Sequence, residues 1–111
     1  MEVKAVSKDE IVSPQNVAMV AELVRGMRVE EALNVLKFMK GPVPKAVAKT
    51  IKSAAANAEN NHQISISVLK VVRITGSKGH VLKRFRPQAR GRAEPRLRIL
   101  SHINVTVAGE E

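Results

Sequence analysis

The sequence predicts an α+β fold: three helices packed on a small three-stranded antiparallel sheet, with a long protruding basic β-hairpin. Three observations carry this. Apolar residues recur at helical spacing in three successive segments before His62. The period changes to two after His62 and is again two from Leu97 onward. Between those alternating stretches lies a run of cations with no apolar period of its own.

The elements follow in order. Val3 and Ala5 alternate with Lys4 and Lys8, which predicts a short strand at a sheet edge. Ser13-Pro14 places an N-cap before proline at the first helical position, and Val17, Val20, Ala21 and Val24 form one stripe that Gly26 ends. Glu30 and Glu31 suit the first turn of a second helix, whose stripe is Val29, Ala32, Leu33, Leu36 and Met39, ending at Gly41. Pro44 is expected to open a third helix. Val47, Thr50, Ile51, Ala54, Ala55 and Ala58 share one of its faces, Lys45, Lys49 and Lys52 share another, and Asn60-Asn61 is expected to end it. Phe38 is assigned to the core.

In residues 66–74, Ile66, Val68, Lys70, Val72 and Ile74 alternate with Ser67, Leu69, Val71 and Arg73, a strand leaving the body. The returning strand sets Leu97, Ile99, Ser101, Ile103, Val105 and Val107 against Arg98, Leu100, His102, Asn104 and Thr106. Two strands joined by a basic stretch make a hairpin whose tip falls near Pro87 to Gly91. With 111 residues the chain has the length of one domain, with a body of 1–74 and 99–111 and an arm of about 75–98.

Composition narrows the function. The 44% apolar content is that of a folded protein, and the absence of cysteine excludes a disulfide framework and a thiolate metal site. MEVKAVSKDE lacks the apolar stretch of a signal peptide, and no run approaches the ~20 apolar residues of a membrane span. A cytoplasmic protein without a membrane partner is expected.

The net charge of +9 is concentrated. Residues 1–69 carry nine Lys/Arg against seven acids, whereas residues 70–98 carry ten against Glu94 alone. In KRFRPQARGRAEPRLR, residues 83–98, arginine outnumbers lysine six to one. Like charges along a two-stranded ribbon repel, so such an arm makes physical sense when packed into an anion. Guanidinium forks onto phosphate and stacks on bases, which favours nucleic acid over a membrane or an acidic protein. Phe38 and Phe85 are the only aromatics, too few for a stacking platform, so recognition is expected through shape and phosphate.

Several stretches are familiar. Ser13-Pro14, EEALNVL at 30–36, SAAANAENNH at 53–62, LKRFRPQARGRA at 82–93 and SHINVTV at 101–107 resemble, in order and spacing, the bacterial-type large ribosomal subunit protein twenty-two family. The resemblance implies a structural constituent of the large subunit that binds and stabilises its 23S-type ribosomal RNA. It also implies a hairpin lining the nascent-peptide exit tunnel. The expected partners are then large-subunit ribosomal RNA, neighbouring large-subunit ribosomal proteins and the nascent peptide.

By position, the resemblance implies RNA contacts from Lys83, Arg84, Arg86, Arg90 and Arg92, with Arg73, Lys78, Arg96, Arg98 and His102 as further RNA-binding candidates. Arg86, Pro87, Gln88, Ala89, Arg90 and Gly91 would form the tunnel tip. Two places depart from the family pattern. Basic residues usually follow the Ser-Pro of the first helix, where this chain has Gln15, Asn16 and Ala18, and TGSKGH at 75–80 is more basic than the commoner acidic form.

Catalysis is not expected. The three histidines stand eighteen and twenty-two residues apart without paired carboxylates, so no acid/base pair, metal cluster or cofactor site can be placed. The rival reading is a DNA-bending architectural protein with a β-ribbon arm, which likewise joins helices to a basic hairpin carrying proline near its tip.

Overall fold

The computed structural model describes residues 2–87 and 93–109, with side chains described for 2–8, 10–79 and 100–109. Strand β1 (Glu2–Glu10) leads into helices α1 (Pro14–Val24), α2 (Val29–Phe38) and α3 (Pro42–His62). A 3₁₀ turn at Ile66–Val68 precedes β2 (Leu69–Pro87), and β3 (Ala93–Gly109) completes a three-stranded antiparallel sheet of order β1-β3-β2. The α+β class and the edge position of β1 are as the sequence predicts.

Local chemistry sets the helix ends. Ser13 occupies the α1 N-cap, but its side chain makes no capping bond, so Pro14 with its fixed φ is what starts the helix. At α3, Gly41 turns the chain at φ 111° and Pro42, not Pro44, is the first helical residue. The first four helical N–H groups have no intrahelical acceptor, so both prolines fit the first turn without costing a bond. Nor does α3 end at Asn60-Asn61. It runs to His62, and Gln63 takes the left-handed conformation (φ 54°) while the Ile64 N–H donates to the Ala58 carbonyl at 3.0 Å. Termination there lets Ile64 pack against the core.

The core lies between the helices and one face of the sheet. Val17, Val20, Ala21 and Val24 of α1, Val29, Ala32 and Leu36 of α2, and Val47, Ile51, Ala54, Ala55 and Ala58 of α3 are buried against it. A fully buried side chain such as Ile51 contributes about 1.5–3 kcal/mol. The core's polar members are paired: Thr50 Oγ1 lies 2.8 Å from Ser7 Oγ and 3.0 Å from the Ala46 carbonyl. Phe38 is not in this core. It is 83% exposed, because it sits two residues beyond Leu36 and so on the opposite side of α2.

The register defines which face is buried. Val3, Val107 and Val71 align across the three strands, as do Ala5, Val105 and Ile74, and all six are buried. Strict alternation from residue 66 would have put Ile74 with Val72 instead. Residues 66–68 form a 3₁₀ turn because the Ser65 side chain accepts from the Ser67 N–H, and a bulge between Val71 and Arg73 inserts Val72, returning Ile74 to the core side.

Candidate nucleic-acid interface

The last pairing of β1 with β3 is Glu10 opposite Ser101. Farther out, β2 and β3 continue alone as a two-stranded ribbon from Val81 opposite Ile99 to Pro87 opposite Ala93. Two bulges mark the level at which the third strand ends, one in β1 between Ser7 and Glu10 and one in β2 between Lys78 and Val81. Bulges add twist and bend, so the ribbon is re-aimed where it leaves the sheet. Ser101, fully buried, ties this root to the β1–α1 connection by donating from Oγ to the Val12 carbonyl. The elongation is large: the chain extends 66 × 26 × 17 Å, and its radius of gyration of 16.9 Å exceeds the ~13 Å of a compact chain this long.

On the ribbon, Lys83 stands opposite Leu97, Arg98 opposite Leu82, Arg84 opposite Arg96 and Arg86 opposite Glu94. The register pairs Arg84 with Arg96, and like charges at directly paired positions disfavour an isolated ribbon. Pro95 and Pro87 fit there because both strands are edges at that level. Arg90 and Arg92, with the tip positions Gln88, Ala89 and Gly91, lie outside the described residues.

The sheet face turned away from the helices joins the ribbon. Its rungs align Lys4, Thr106 and Arg73, then Val6, Asn104 and Thr75, then His102 and Ser77. Lys4 and Arg73 are exposed and His102 is half-buried on this face, whereas Lys78, also exposed, is paired with the buried Ser101 and so lies on the opposite face at the arm's base. Lys4 is an addition. Its alternation with Val3 shows that it faces outward, but only the register sets it on one rung with Arg73, about seventy residues later in the chain. The α1 surface, by contrast, presents Gln15, Asn16 and Ala18 without a cation.

Among the described residues no group of three or more His, Asp or Glu could hold a metal ion, and no helix is long and apolar enough to cross a membrane. Fold and charge thus define a small basic α+β protein in which a three-stranded sheet continues into a two-stranded ribbon rich in arginine. Comparison with known sequences makes this specific. The chain belongs to the ribosomal protein L22p/L17e family, whose model matches residues 5–108. It is similar to the large ribosomal subunit protein uL22 of Dehalococcoides mccartyi, 52% identical over 108 residues that cover 97% of this chain and 99% of that one. The protein of the same name from Clostridioides difficile is 44% identical, over 96% of each chain, and that from Syntrophobacter fumaroxidans is 46% identical, over 97% of this chain and 98% of that one. The family is one of structural ribosomal proteins, not enzymes.

Proposed function

We propose that the chain is a structural constituent of the large ribosomal subunit and binds its ribosomal RNA through the open sheet face and the β2–β3 ribbon. In this reading residues 1–111 act as one unit, with Arg73, Lys78, Lys83, Arg84, Arg86, Arg90, Arg92, Arg96, Arg98 and His102 as the RNA contacts, joined by Lys4. The tip, residues 86–91, borders the nascent-peptide exit tunnel. The protein then works in the cytoplasm, in the ribosome, beside other large-subunit proteins.

The observation that carries the proposal is that the sheet face bearing Lys4 and Arg73 runs into a two-stranded ribbon whose sequence holds most of the chain's excess of cations, in a chain of this family. A ribbon with an Arg84/Arg96 rung and no third strand gains stability from an anionic groove. Arginine forks suit phosphate, and phosphate contacts position a protein without reading sequence.

Sedimentation of cell lysate tests it. The chain is expected with large ribosomal particles, released by high salt and by ribonuclease. Recovery with nucleoid DNA would overturn the proposal in favour of a DNA-bending role.

A further inference from the structure

A second, chemically different surface lies in the helical layer. Helices α2 and α3 leave between them a groove of roughly 720 Å³. Its floor is apolar, made by Leu33, Leu36, Met39 and Ala48. Its rim is cationic, with Lys37 from α2 and Lys45, Lys49 and Lys52 from α3, all exposed.

We propose that this groove docks an acidic peptide segment of a neighbouring protein, one in which carboxylates flank an apolar anchor. Charge complementarity argues for it: four lysines surround the floor, and among the described residues the acid paired with them is Glu10, 3.2 Å from Lys49 Nζ. That pair shows a rim lysine already engaging a carboxylate. The floor argues against RNA, whose outer surface presents phosphate and sugar and gains little from Leu and Met side chains. The cations differ from those of the ribbon as well. Residues 83–98 carry six arginines and one lysine, whereas the groove has four lysines and no arginine. Arginine's planar fork matches phosphate, while lysine offers a point charge on an apolar stem that extends the groove walls.

Dimensions fit a short segment. The ten residues of α2 span about 15 Å, enough for two to three turns of an amphipathic helix laid in the groove. Met39 gives the floor an adaptable end. The inference rests on the proposed place in the large subunit only for where the partner is met.

A photo-crosslinking residue, p-benzoylphenylalanine, placed at Ala48 and separately at the exposed Lys52, tests the proposal in intact irradiated cells. The expected product joins the chain to a protein segment bearing acidic residues around an apolar one. Its yield should fall at least about tenfold when Lys45→Glu and Lys37→Glu are added, because like charges would then face each other. Attachment to RNA, attachment to a segment without acidic residues, an unchanged yield after charge reversal, or no product from either position would each overturn it. Sedimentation of the same product reads the ribosomal placement separately: a product of the expected chemistry found away from large subunits would sink that placement and leave the groove assignment standing.

Discussion

Gly76 is a point of close approach between β2 and α1. A Cβ there would meet Val17 Cγ1 at 2.9 Å, Val17 Cβ at 3.0 Å and the Pro14 carbonyl oxygen at 3.4 Å. Val17 is fully buried and β-branched, so its rotamer cannot swing aside, and α1 itself would have to lift from β2. Gly76→Ala should therefore destabilise the protein by about 1–3 kcal/mol, read as a lower urea midpoint at unchanged slope. An unchanged midpoint would mean that α1 packs less tightly than described. Phe38 gives the opposite expectation. Exposed on the outer side of α2, it should tolerate Phe38→Ser within about 0.5 kcal/mol, whereas a core phenylalanine loses about 3–5 kcal/mol on truncation. A loss in that larger range would put Phe38 back in a core.

The strands differ in what supports them. In β3, Ile103 and Val105 have partners on both sides, while Leu97 and Arg96 pair with β2 alone. In the free protein, amide exchange should be slow at Ile103 to Val107 and fast at Lys83 to Phe85 and Arg96 to Leu97, since an isolated two-stranded ribbon is marginal in water. Equal protection would show that the ribbon is held by something other than RNA. If about six phosphates are neutralised by cations of the ribbon and its base, log K for the RNA should fall with log salt at a slope of roughly −4 to −5, and Arg84→Gln should lessen the slope by about 0.7–0.9. A flat response would remove phosphate as the ligand. The helices were legible because a 3.6-residue stripe such as Val17, Val20, Ala21, Val24 is written locally. What the period could not show was the inserted Val72, since alternation carries no sign of an added residue, or the end of α3 at Gln63, which depends on where Ile64 meets the core.

Across the whole molecule, the interface was only partly readable for the same reason. The excess of charge in residues 70–98 is visible in the sequence, but the rung of Lys4, Thr106 and Arg73 unites three strands distant in the chain and exists only once register is fixed. The resulting molecule has two unlike surfaces. Arginine-rich ribbon and open sheet face form one, and the lysine-rimmed apolar groove between α2 and α3 forms the other. Such a division suits a protein that fills a groove in RNA while meeting a protein neighbour on its helical side. The most direct test is ultraviolet crosslinking of intact large ribosomal subunits, with the RNA-bearing peptides of this chain mapped by mass spectrometry. The peptides carrying nucleotide should come from residues 70–98, together with those containing Lys4 and His102, and those of α2 and α3 should be free of it. Nucleotide confined to the helices, with none on residues 70–98, would contradict the assignment of the ribbon as the RNA-binding element.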